Sequence, residues 1–247
     1  MKKNNNKSSR IARLAFFAAV LCGLGAVAAG LGTRYRIWDF RIGLDVFRWS
    51  AYGGAAAALL SLLGLLATVR LVFKRGFLLA LFGLAIAGSL AFASWHWMEM
   101  AKKVPAIHDI TTDTENPPKF VAILPLRRNA SNPPDYGGPA IAAQQDKAYP
   151  DIKPLALDVP PGEAFDKALA VARKMGWKIV EANRSAGRIE AVATTFWFGF
   201  RDDIVIRVEK EGVGSRVDIR SLSRVGISDV GTNAKRIRTF LAEMKKQ

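Results

Sequence analysis

The sequence predicts an α-helical membrane bundle of three spans followed by a soluble α+β domain, in which a four-stranded antiparallel sheet is covered by two helices. Three observations predict it. Uncharged apolar runs fill residues 14–33, 49–69 and 76–98, each close to the ~20 residues that cross a bilayer's hydrocarbon core as a helix. At residue 104 the composition turns to Pro, Thr, Asp and Asn. Beyond residue 158, apolar spacing of three and four gives way to two-residue alternation and then returns, the signals of amphipathic helices and half-buried strands.

Charge position separates two classes of partner. The 247 residues carry a net charge of +15, which by itself raises nucleic acid or membrane. Residues 1–103 hold 14 basic and 3 acidic side chains, a net of +11, whereas residues 104–247 hold 22 and 18, a net of +4. The excess therefore flanks the apolar runs. The domain beyond lacks the basic stripe interleaved with aromatics that nucleic acid requires. The expected partner is the lipid bilayer, with an envelope protein or an anionic ligand beside it, and no nucleic acid.

Residues 1–13 form a basic tail, with Lys2, Lys3, Lys7, Arg10 and Arg13. The run behind them exceeds the 7–15 apolar residues of a signal peptide and two further spans follow, so it reads as a retained anchor. Leu21 is too large to precede a lipid-modified Cys22. Gly23-Leu24-Gly25-Ala26-Val27-Ala28 imitates a dinucleotide fingerprint, but a membrane span offers neither the strand before it nor the βαβ unit around it. Small residues four apart (Gly25 with Ala29, Ala26 with Gly30; Gly53, Ala57 and Ser61; Gly76, Gly83 and Ala87) instead let helices approach closely in lipid.

Residues 34–48 mix bulky apolar and charged side chains in every turn and read as an interfacial loop. Tyr35, Trp38, Trp49, Tyr52, Trp95 and Trp97 anchor that side in the headgroup layer, and His96 lies between two of these tryptophans as an interfacial hydrogen-bonding group. Eight basic residues on one side, including Arg70, Lys74 and Arg75, against seven on the other leave orientation balanced. The Lys-rich tail favours the N-terminus inside. That arrangement makes the tail cytoplasmic and puts residues 104–247 on the outer, periplasmic side of a bacterial inner membrane.

In the C-terminal domain, 126–150 is rich in Pro, Gly and Asn and reads as a long loop. A helix enters at Asp158-Val159-Pro160-Pro161-Gly162, lines Phe165, Leu169, Ala172 and Met175 on one face and ends at Gly176. Strands follow over 177–181, 188–197, 204–209 and 215–222, with turns at 183–187 and 211–214. Ile204, Ile206 and Val208 share one face with Val217 and Ile219. Arg207, Arg216, Asp218 and Arg220 occupy the other, which reads as polar and available. Ile237, Phe240, Leu241 and Met244 mark a terminal helix.

Four blocks, in order, carry a resemblance: Val104-Pro105-Ala106-Ile107-His108-Asp109-Ile110-Thr111-Thr112-Asp113-Thr114-Glu115-Asn116-Pro117-Pro118-Lys119-Phe120; Ile189 to Thr195; Phe198 to Asp203; and Ser221 to Ala234. They resemble the bacterial family called domain of unknown function 1499, in members that carry N-terminal membrane spans. The resemblance covers about residues 104–242 and implies a domain boundary but no activity.

Three constellations are candidate sites. Arg220, Ser221, Ser223 and Arg224 end the last strand, Ser228 and Asp229 precede the final helix, and Asn233, Lys235, Arg236 and Arg238 lie in its early turns. A helix start attracts anions and disfavours cations, so these arginines need a negative partner. A bound anion would serve, and so would Asp202, Asp203, Asp109 or Asp113 of the same domain. The second constellation is His108, Asp109, Asp113 and Glu115. It lacks the His and Cys number of a zinc site and the glycine punctuation of a calcium loop, and its carboxylates read as turn caps or arginine partners. The third is Phe196, Trp197, Phe198 and Phe200 at a hairpin tip, whose rings either pack under the 126–150 loop or touch the bilayer or a partner helix.

No nucleophile elbow, zinc-protease or phosphate-loop motif occurs, and no catalytic residue, metal or cofactor is assigned. The reading is a membrane-anchored, outward-facing binding domain. A hydrolase-like enzyme built on His108 and its carboxylates, or a structural subunit of a membrane complex, are the alternatives.

Overall fold

The computed structural model describes residues 2–68 and 75–246. Val69, Arg70 and Lys74 lie outside the described residues, as do the side chains of Lys2, Lys3, Lys7 and Arg75. The chain divides into two compact units, residues 1–100 with 196–199, and residues 101–195 with 200–247.

The first unit is built on three long helices, α1 (Lys2–Arg34), α2 (Phe40–Thr68) and α3 (Arg75–Lys102). Each is long and apolar enough to cross a membrane, over Arg10–Arg34, Phe40–Thr68 and Gly76–Lys102. Small residues line their contacts. A Cβ built on Gly43 would stand 2.9 Å from the Ala29 carbonyl, and one on Gly83 would stand 2.7 Å from Ser61 Oγ and 3.1 Å from Phe16 Cα. Ala19, Ala57 and Ala87, one from each helix, form a buried cluster. The loop read at 34–48 is shorter, because α2 already starts at Phe40. Asp39 Oδ1 accepts the Arg41 N–H at 3.0 Å, satisfying one of the free donors of the helix start, and Arg36 turns the chain with φ of 60°. The basic tail is likewise helical from Lys2.

The second unit holds a six-stranded antiparallel sheet, not a four-stranded one. Its strands are β1 (Asp109–Thr111), β2 (Leu155–Leu157), β3 (Lys178–Asn183), β4 (Arg188–Thr194), β5 (Arg201–Glu211) and β6 (Gly214–Ser223), in the order β1-β6-β5-β4-β3, with β2 also paired to β6. The two extra strands are three residues each, too short for alternation to show. They form because β6 offers a free edge, taking Asp109 opposite Leu222 and Leu155 opposite Val217. The stretch 126–150 is not all loop either: Pro139–Ala148 is a helix, α4, opened by Gly138 at a φ of 72° and by Pro139, whose fixed φ suits a first turn. Helices α5 (Pro161–Lys174) and α6 (Thr232–Lys246) complete the domain.

The two faces of the sheet bury different chemistry. On one face Ile189, Ile204, Ile206, Val217 and Ile219 join Phe165, Val171, Ile237, Phe240 and Met244 of α5 and α6 in one apolar cluster, with Trp177 stacked on Phe240 at 5.7 Å. The opposite face, read as polar and available, is covered. Phe120 and Ile123, from the irregular segment after β1, pack on Val192, Val205 and Leu222, and the charged side chains around them are buried as ion pairs.

Candidate functional site

Register sets the site. Strand alternation puts Glu190, Asp203, Arg207, Asp218, Arg220 and Arg224 on the covered face, and the pairing of β1 with β6 adds Asp109 beside them. Arg220 meets Asp109 through two parallel bonds, Nε to Oδ1 at 2.9 Å and Nη2 to Oδ2 at 2.7 Å. Its Nη2 also donates to the Pro134 carbonyl at 2.8 Å, and its guanidinium lies over the rings of Phe120 and Tyr136, 5.0 and 5.6 Å from their centroids. With Nη1 also donating to the Pro118 carbonyl at 3.3 Å, each guanidinium nitrogen has a partner, and this bidentate geometry is what lets the arginine be buried. Burial, with Asp109 adding to it, pushes the Tyr136 hydroxyl above its ordinary value.

Asp203 serves two arginines. Arg224 reaches it with Nη2 at 2.7 Å while donating Nη1 to the Leu126 carbonyl at 2.8 Å. Arg127 reaches its other oxygen and gives Nη2 to the Asn132 carbonyl at 2.9 Å. Burial lowers the Arg127 pKa and Asp203 opposes that shift. Glu190 accepts the backbone N–H groups of Val121, Ala122 and Ile123 at 2.9, 3.0 and 2.9 Å, and Arg188 stands 2.9 Å from it. Three consecutive amides converging on an anion form a nest, here filled by the protein's own carboxylate. Further along the same face Asp113 and Asp218 share Arg207 and Arg216, at 2.9 to 3.1 Å.

On the helix side, Arg236 pairs with Asp202 at 2.6 Å and donates to Ser221 Oγ at 3.0 Å. Asn233 ties this group together, accepting from Ser221 Oγ at 2.7 Å and donating to Ser223 Oγ and the His108 carbonyl at 3.0 Å. Asp229 caps α6, accepting the N–H groups of Asn233 and Gly231 at 2.7 and 2.8 Å. Burial raises its pKa, and those two backbone bonds oppose the rise.

Of the residues singled out in the sequence, Ser221, Ser223, Asn233, Arg236 and Asp202 thus meet in one network under α6. Arg220 and Arg224 lie on the other face, Arg220 paired with Asp109 and Arg224 sharing Asp203 with Arg127. The negative partners that the arginines require are Asp109 for Arg220, Asp203 for Arg224, Asp202 for Arg236 and Asp151 for Arg238. His108 and its carboxylates are not brought together as an acid–base group: Asp109 faces Arg220, Asp113 faces Arg207 and Arg216, and His108 Nδ1 lies 3.1 Å from the Ile227 carbonyl. Asp113 Oδ1 also closes a turn, accepting the N–H groups of Glu115 and Asn116 at 3.1 and 2.8 Å. Among the described residues no group of three or more His, Cys, Asp or Glu could hold a metal ion.

The aromatic tip divides. Phe200 closes the turn by bonding Thr195 through N–H and carbonyl, at 2.9 and 2.8 Å. Residues 196–199 belong to the first unit, where Trp197 meets Phe47 edge-on at 5.3 Å and Phe196 is exposed.

Sequence reasoning missed Arg127, Glu190 and the covering segment. The available signal was the near-equal count of acids and arginines on the second face, which suits mutual pairing better than an open surface.

These features define a class, an antiparallel α+β domain that follows three helices able to span a membrane and whose charged sheet face is closed by internal ion pairs. The chain belongs to the family described as Protein of unknown function (DUF1499), whose model matches residues 109–244. A search of curated proteins returned no match.

Proposed function

We propose that this is a membrane-anchored binding protein, held in a bacterial inner membrane with its C-terminal domain on the periplasmic side, where the domain engages an anionic group, a lipid headgroup or an envelope protein. One observation carries the reading. At the Arg224 end of the sheet the charges are spent internally while apolar side chains are left outside: Arg224 binds Asp203 and the Leu126 carbonyl, and Leu126 itself is 53% exposed. A surface of that kind serves contact better than proton transfer.

The test is a photo-reactive p-benzoylphenylalanine at position 126 in the full chain, illuminated in intact membranes. A lipid or protein adduct at 126, absent when the probe stands at Val213 and retained in His108→Ala, is the expected result. No adduct at 126 overturns the reading. So does turnover of an ester or phosphoester by the purified full chain that His108→Ala abolishes. A C-terminal alkaline phosphatase fusion that is active supports the outward orientation, and an inactive one overturns it.

A further inference from the structure

The surface beside Arg224 has a definite chemistry. Val121, Leu124 and Leu126 are 50, 42 and 53% exposed in the short stretch 121–126, which runs into the 3-10 helix Leu124–Arg127. Ile227, 80% exposed, is brought to the same place by hydrogen bonds. Asn132 Nδ2 donates to the carbonyls of Ser223 and Gly226 at 2.9 Å, and Asn132 N–H donates to the Arg224 carbonyl at 3.1 Å. The strip is therefore fixed from behind by Glu190, Arg127 and Arg224, and its apolar side chains face outward. Lys119 and Arg128, both exposed, flank it. Four outward aliphatic groups on two segments tied together by hydrogen bonds, bordered by long cationic side chains, match the headgroup boundary of a bilayer, where aliphatic groups bury and cations reach phosphates.

Chain connectivity selects that occupant. Ile227 accepts from His108, and His108 follows the end of α3 at Lys102 by six residues. A fully extended chain of that length reaches about 21 Å. A surface tethered so closely to a membrane-spanning helix meets lipid at high effective concentration whatever else is present.

We propose that Val121, Leu124, Leu126 and Ile227 dip into the headgroup layer of the membrane that anchors the chain, so that the ligand of this domain's Arg224 end is the lipid surface itself. This rests on the binding reading above and names its partner.

The test uses the full chain with Cys22→Ala, reconstituted alone in phosphatidylcholine–phosphatidylglycerol nanodiscs, with a nitroxide at Leu126→Cys, at Ile227→Cys or, as a reference, at the fully exposed Val213→Cys. Collision with oxygen reports lipid and collision with a nickel chelate reports water. The expected result is a gain in oxygen accessibility and a loss of nickel accessibility at 126 and 227 relative to 213. Leu124→Asp with Leu126→Asp should return the label at 227 to the reference value. Labels at 126 and 227 as open to nickel as 213 overturn the proposal. Labels shielded from both reagents overturn it too, since they report a second copy of the chain as the cover. A protein adduct in intact membranes together with water-exposed labels in nanodiscs would leave the binding reading standing and remove the lipid.

Discussion

The two faces of the sheet are both buried, and they are buried by opposite means. On the helix side, aliphatic and aromatic side chains of α5 and α6 meet Ile204, Ile206 and Ile219, and the contact is non-directional. On the other side a segment whose regular structure is one short 3-10 helix is fixed by carboxylates and guanidinium groups, each oriented by several hydrogen bonds. The contrast teaches that a polar strand face need not be a functional face. Charges that alternate in sign across neighbouring strands, as Arg207 with Asp218 and Asp203 with Arg224, can close on themselves once a loop supplies backbone carbonyls and an apolar cap.

The largest way to break this comparison is at Asp203. Asp203→Ala leaves Arg127 buried and Arg224 half-buried without their carboxylate and should cost about 3–5 kcal/mol, because an uncompensated buried charge is worse than none. Replacing both partners of the neighbouring pair, Asp109→Leu with Arg220→Met, should cost much less, since isosteric apolar groups remove the desolvation penalty along with the attraction. Native-state hydrogen exchange of the β6 amides in the full chain reads both. Equal losses in the single and double variants would show that the pairs contribute net stability.

Ile206→Ala tests the helix side. A fully buried Ile truncated in a packed cluster should cost about 2–5 kcal/mol. The loss should appear in the protection of α5 and α6 and leave the Val121–Ile123 amides, which belong to the other face, near their native protection.

At the α6 cap, Asp229→Ala should cost about 0.5–2 kcal/mol and should also change the response to pH. Burial raises the Asp229 pKa, so in the window above the ordinary carboxylate value the folded state holds a proton that the unfolded state has lost. Stability from this group is therefore greatest in acid and falls as pH rises through the raised midpoint. The alanine variant should lose that slope.

The smallest effect lies at the exposed contact between α5 and α6. Lys174 and Lys246 hold the Glu243 carboxyl down to about 2, so its contribution is present above the ordinary glutamate value and fades as pH falls toward 2. A carbon-detected titration of Glu243 should show a low midpoint that Lys174→Ala raises, with little change in stability, as solvent screens such pairs.

Much of the fold was legible because it is periodic. The spacing of Phe165, Leu169, Ala172 and Met175 marks α5, and Gly176, with a φ of 73°, marks its end. Alternation from Ile204 to Val208 and from Val217 to Ile219 gives β5, β6 and the assignment of faces, because a strand's side chains have a period of exactly two residues. What escaped has no period. Strands β1 and β2 are created by the edge of β6, and Phe120 and Ile123 sit in an apolar run, Phe120 to Leu124, too short to show a period, whose burial depends on Val192, Val205 and Leu222, distant in the chain. At the candidate site the sequence named the arginines and listed their aspartates as candidates. The register of β1 and β5 on β6, and the seating of α6, decide which aspartate meets which arginine.

That register has a consequence for biosynthesis. Asp109 pairs opposite Leu222, more than a hundred residues later, so the first strand emerging after the membrane helices must wait, unpaired, for the last strand of the sheet. Until β6 has been made, Arg220 is absent, Asp109 is hydrated, and the 112–136 segment has nothing to lie on. Completion of the domain is therefore tied to the synthesis of β6, and a chain truncated anywhere before β6 would leave its Pro-rich segment and its apolar strip without the sheet face they lie on.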